Sequence, residues 1–144
     1  MRRLLTALVL ACIAPAALAC GYCVEDKMAA AYDHAVVTRA LSQKHHVAFF
    51  HIDGPLAPGQ STKRALEAIA NSAAGADPGS SRVSVESSSL AVAFDPRRSS
   101  VADLQKAIER GLAAKKLSLM LLQVMDRPAD FSPSVSRALR VQAK

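Results

Sequence analysis

The chain has 144 residues, of which 18 are Lys or Arg and 12 are Asp or Glu, for a formal net charge of +6. That length suits one domain with a substantial core. The basic residues Arg97, Arg98, Lys115, Lys116, Arg137, Arg140 and Lys144 are scattered and lack interleaved aromatics, which argues against a nucleic-acid stripe and for a solvated surface. No Gly-rich phosphate loop, nucleophile elbow or motif-placed carboxylate pair occurs, so the sequence carries no enzyme signature outside its cysteines.

Residues 1–19 read as a secretory signal peptide. Arg2 and Arg3 supply the positive start, Leu4 to Ile13 an apolar run too short to span a bilayer, and Ala17-Leu18-Ala19 a small-x-small cleavage site. The expected location is the periplasm, with a mature chain that begins at Cys20 and a net charge reduced to about +4. The alternative is a lipoprotein anchored at Cys20, although Ala17 and Leu18 stand in the reverse of the usual lipoprotein order. Cys12 leaves with the signal, so two cysteines remain, in a compartment that permits disulfides.

Residues 20–44 hold Cys20-Gly21-Tyr22-Cys23 and then a helix. Met28, Tyr32, Ala35 and Val36, or the stripe Ala29, Val36 and Ala40, recur at helical spacing, and no Gly or Pro interrupts residues 24–43. Glu25 and Asp26 suit the first turn of such a helix, and Lys44 and His45 suit its end. Val47 to Ile52 is a strand stopped by Asp53-Gly54-Pro55. A second helix follows, capped by Ser61 or Thr62 and carrying Leu66, Ile69, Ala70 and Ala73. Arg82 to Glu86 and Leu90 to Phe94 read as strands joined at Ser87-Ser88-Ser89. Ser99 or Ser100 caps a third helix with Val101, Leu104, Ala107, Ile108 and Leu112, and Leu117 to Val124 is the last strand. Residues 127–144 read as a flexible tail.

From residue 45 to 126 the order is therefore β-α-β-β-α-β. This is an α+β, ferredoxin-like sandwich preceded by an extra N-terminal helix. The sheet normally leaves one face open, yet Val47 to Ile52, Leu90 to Phe94 and Leu117 to Val124 are apolar on both faces. Burial of the second face requires a cover, and the helix of residues 24–43 is the available amphipathic element.

Arg82-Val83-Ser84-Val85, then Leu90-Ala91-Val92-Ala93-Phe94-Asp95-Pro96, then Ser100 to Ile108 resembles the second half of a heavy-metal-associated domain. That family comprises small copper chaperones, mercury-binding proteins and the N-terminal modules of metal-pumping ATPases. The resemblance covers about residues 46–125 and implies a soft-metal carrier, with a metal-trafficking or membrane transport protein as partner. The family keeps its Cys-x-x-Cys in the loop after the first strand; here that loop, Asp53 to Ser61, has no cysteine, and the pair is displaced to the mature N-terminus. A helix of about 20 residues runs roughly 30 Å. Folded back along the first strand, it would return its start to the end of the sheet where the family holds its ion.

Cys20 and Cys23 are the candidate metal ligands, for Cu(I) or a similar thiophilic ion. Two thiolates spaced this way reach one soft ion, and a helix N-terminus favours the thiolate. Tyr22 is placed to shield the pair, and Lys115 or Lys116 to offset its charge. Two other readings stay open: a periplasmic thiol-disulfide redox protein, and a protein-binding module with a structural disulfide. His34, His45, His46 and His51 match no zinc spacing.

Overall fold

The computed structural model describes residues 19–128, with side chains from Val24 onward. Residues 1–18, which hold all but the last residue of the expected secretory signal, and the tail beyond residue 128 lie outside the described residues. Among those described, no helix is long and apolar enough to cross a membrane.

The expected single N-terminal helix is two helices, α1 (Ala19–Ala31) and α2 (His34–Ser42). The break has a local cause. Asp33 adopts an extended conformation, and one carboxylate oxygen accepts from the N–H groups of Ala35 at 2.9 Å and Val36 at 3.1 Å. Its other oxygen takes a 2.6 Å bond from Arg82 Nε. Aspartate competes with helical backbone by such short-range bonds, and here a tertiary cation fixes the competing geometry. At its other end α2 closes in a Schellman turn, with His45 N–H bonded to Ala40 O and Lys44 N–H to Leu41 O. Lys44 occupies the left-handed position at φ 60°, where glycine is usual.

The sheet contains β1 (His46–Asp53), β2 (Arg82–Ser84), β3 (Ser89–Phe94) and β4 (Ser118–Met125), in the order β2-β3-β1-β4 with antiparallel pairing throughout. Helix α3 (Gln60–Ser72) links β1 to β2, and α4 (Val101–Leu112) with a 3₁₀ turn links β3 to β4. Order and pairing are those of the ferredoxin-like split βαβ. Ser100 caps α4 as expected, accepting from Asp103 N–H. α3 starts one residue after Gly59 with no side-chain cap, so neither Ser61 nor Thr62 has that role.

Two cores lie on opposite faces of the sheet. Ala48, Phe50, Ile52, Leu90, Val92 and Phe94 pack with α3 and α4. Val47, Phe49, Ala91, Ala93 and Met125 pack with Met28, Ala31, Val36, Val37 and Ala40 of α1 and α2. This double cover explains why all six β3 residues are buried and why β1 does not alternate. Tyr32 packs at the margin of the second core, whereas Ala29 and Ala35 are exposed, so the covering stripe combines parts of the two expected ones.

Two strand expectations need correction. β2 ends at Ser84, because residues 85–88 form the turn to β3 with Ser88 at φ 49°. In β4, strict alternation puts Val124 with Met120 and Leu122, but the register against β1 slips between Phe49 and Phe50. That bulge returns Val124 to the face of Leu119, while Leu122 stays on the opposite face against the α1/α2 core.

Both sheet edges are capped by a glutamate from the helix beside them. Glu67 of α3 accepts from Val83 N–H at 3.0 Å on the β2 edge. Glu109 of α4 accepts from Leu119 N–H at 2.9 Å on the β4 edge, and Gln105 donates to Leu119 O at 2.8 Å. Each group satisfied this way is withdrawn from pairing with another strand.

Candidate thiol site at the start of the first helix

Cys20 and Cys23 fall within the first turns of α1, but their side chains lie outside the described residues. The site is therefore located by its first well-placed neighbour, Lys27, four residues after Cys23. Lys27 Nζ donates to Ser87 O at 2.9 Å and lies 3.0 Å from His51 Nδ1. These contacts fasten α1, one turn after Cys23, to the end of the sheet where β1 finishes and β2 turns into β3.

His51 Nδ1 also lies 2.9 Å from Ser88 O. One ring nitrogen cannot accept from the ammonium and donate to the carbonyl. Ser88 O already takes a 2.8 Å bond from Ile52 N–H, whereas the lysine contact is charge-assisted. The His51 tautomer therefore selects between the Lys27 contact and the Ser88 contact, while the Lys27 bond to Ser87 O holds in either case.

The β1–α3 loop closes against the same end of the sheet. Gly54 sits at φ 120°, and a Cβ there would lie 2.7 Å from Lys116 O, so this close approach requires glycine. Lys115 ends the 3₁₀ turn after α4, and Lys116 is left-handed at φ 56°. Both are exposed and flank this end from the α3/α4 layer, opposite the layer that contains α1.

The remaining candidates are engaged elsewhere. Met28 is 3% exposed in the second core, which commits its thioether to packing. His34 approaches Thr38 Oγ1 at 3.5 Å on the surface, and His46 stacks edge-on to Phe94 with ring centroids 5.8 Å apart. His45 Nδ1 bonds Asp77 at 2.7 Å at the far end of the sheet. Among the described residues no group of three or more His, Cys, Asp and Glu is placed to hold a metal ion. Lys27 was not among the expected site residues; its spacing from Cys23, one turn along the same helix, is the signal that identifies it.

Two carboxylates are perturbed away from this site. Burial raises the Asp33 pKa, but the Arg82 bond and the Val36 and Ala35 amides outweigh it and hold the carboxyl below its ordinary value. Asp95 is pulled down to about 2, chiefly by its Arg97 side-chain bond and the Arg97 amide, with His45 adding a smaller contribution.

No family model matches the chain, and no curated protein matches it. Two solved structures are similar to it in part. One is a copper-binding domain from HMA7, a P-type ATPase, with 16% identity over 55% of this chain and 96% of that one, at a TM-score of 0.45. The other is the N-terminal domain of a potential copper-translocating P-type ATPase from Bacillus subtilis in the Cu(I)-loaded state. It has 22% identity over 58% of this chain and 94% of that one, at a TM-score of 0.43.

Proposed function

We propose that the protein is an exported carrier or buffer for a soft metal ion, with Cu(I) the leading candidate and Cys20 and Cys23 as ligands. The ion is cargo, and no turnover is involved. The observation that carries the reading is the attachment of α1 through Lys27 to Ser87 and His51, which gives the segment bearing the Cys-x-x-Cys a fixed origin at one end of the sheet. The cysteine pair supplies the chemistry: two thiols, two residues apart near a helix N-terminus, are suited to a thiophilic monovalent or divalent ion.

At helical spacing, positions 20, 23 and 27 share one face, so the Lys27 ammonium belongs to the same side of α1 as the two cysteines. Binding of a monovalent ion by two thiols releases two protons and leaves one net negative charge on the bis-thiolate site. A cation one turn away offsets that charge from within the helix itself. Copper is also the ion of the two P-type ATPase domains above, but the reading rests on the thiols and not on that likeness.

Periplasmic location, cleavage before Cys20 and a metal-trafficking or transport partner belong to the same proposal. Competition of reduced full-length protein with a Cu(I) chelator tests the ligand assignment. Cys20→Ser and Cys23→Ser should each abolish tight binding, and a Cys23→Ser protein that binds as tightly as the parent overturns it. An intact mass beginning at unmodified Cys20 in the soluble periplasmic fraction supports the processing assignment. A membrane-bound, lipid-modified form contradicts it and removes Cys20 from the ligand set.

A further inference from the structure

A second site lies at the opposite end of the sheet from Lys27. A cleft of about 370 Å³ opens where the end of α2 passes over the loop that follows α3. Its floor is fixed by hydrogen bonds. His45 Nδ1 is bound to Asp77 at 2.7 Å, and His45 Nε2 lies 3.8 Å from Asp95. Asp77 N–H donates to Ala93 O, Ser80 Oγ donates to Asp77 O, and Ala93 N–H donates to Ser80 Oγ. The walls include the apolar side chains of Val36, Ala40 and Pro78.

Arg39 and Arg98 also line this cleft, and neither forms an ion pair among the described residues. The local acids offset them only in part. Asp95 is gripped by the neighbouring Arg97 through Nε at 3.0 Å and Nη2 at 3.1 Å, which leaves Asp77, bonded to His45, as the one lining carboxylate without an arginine partner against two arginines. Nor does the negative end of α2 reach the cleft uncompensated, because the carbonyls of Arg39, Ala40 and Leu41 all accept bonds from the Schellman turn. What remains is a preorganised floor, apolar walls and two uncommitted guanidinium groups.

We propose that this cleft binds a small multiply charged oxyanion, a phosphate or an organic polycarboxylate, between Arg39 and Arg98. Guanidinium pairs such oxygens through two parallel N–H donors, and Gln43 at the rim adds an uncharged donor. The apolar walls accommodate the body of an organic acid. The site is independent of the thiols, so it stands or falls separately from the metal reading.

The test is an amide-resolved NMR titration of the full chain with inorganic phosphate and, separately, with citrate. Acetate serves as the monoanion control, at a fixed ionic strength near 0.15 M so that diffuse counter-ion effects are screened. Saturable shifts should centre on Arg39, Gln43, Ser80 and Arg98. Arg39→Gln and Arg98→Gln should each weaken binding by about tenfold, the worth of one charge-assisted bond. Arg64→Gln, an exposed cation on α3, should leave it unchanged. Response to phosphate alone assigns the phosphate class, and response to citrate alone assigns the carboxylate class. The proposal is overturned if neither anion gives saturable shifts, if acetate binds equally well, or if Arg64→Gln weakens binding as much as the cleft variants.

Discussion

Replacement of Asp33 offers the sharpest test of how the N-terminal helices are joined. In Asp33→Ala the N–H groups of Ala35 and Val36 lose their side-chain acceptor, a change that costs about 1 kcal/mol for an N-cap. The Arg82 partner is lost as well. Both side chains are about a third exposed, so solvent screening holds that contribution to about 0.5–1 kcal/mol. The sum is roughly 1.5–2 kcal/mol, or a fall in Tm on the order of 10 °C for a domain of this size. Asp33→Asn retains a good cap and loses only the charge, so it should cost about 0.5–1 kcal/mol. Urea unfolding of both variants, with a double-mutant cycle through Arg82→Met, separates cap from ion pair. The depressed Asp33 pKa fixes the sign with pH. Its contribution is complete above the ordinary carboxylate pKa and is lost as pH falls through the lower folded value. If Asp33→Ala costs less than about 0.5 kcal/mol and gains helical signal, the reasoning is refuted. Residues 24–43 would then favour the continuous helix that their spacing suggests.

Glu109→Ala should cost about 1–2 kcal/mol by orphaning the Leu119 amide, and should raise self-association in light scattering by freeing the β4 edge. Unchanged association would show that the bulge beside Leu122 protects the edge without Glu109. Gly54→Ala should destabilise by about 2 kcal/mol or more in the same urea assay, because it combines strain at positive φ with a Cβ against Lys116 O. The parent protein should lose stability as pH falls from about 4 towards 2, since the Asp95 pKa is lowered and its contribution is present only while it is ionised. Arg97→Gln should flatten that acid limb, and an unaltered limb would place the titration elsewhere.

Much of the fold was legible because local and long-range signals agree. Strands apolar on both faces demanded a cover, and Met28, Val36 and Ala40 supply part of it. Asp95-Pro96 and Ser100 marked the end of β3 and the start of α4. The misses share one cause, contacts between residues distant in sequence. The helix break at Asp33 depends on Arg82, 49 positions away, which spacing alone cannot register. The β4 bulge is visible only against the β1 register, so a period-2 reading misassigned the last residues of that strand. At the candidate site, Cys20 and Cys23 stood out as the Cys-x-x-Cys pair that the expected signal cleavage would leave. Lys27 was not among the expected residues, and its contacts with Ser87 and His51 place it at the sheet's end.

The central claim is that two cysteine thiolates hold a soft ion, and X-ray absorption at the copper edge of the Cu(I)-loaded full chain tests it most directly. The account predicts a first shell of two sulfur scatterers from Cys20 and Cys23, lost in Cys20→Ser and in Cys23→Ser. A shell dominated by nitrogen or oxygen, or one unchanged by either substitution, would contradict it.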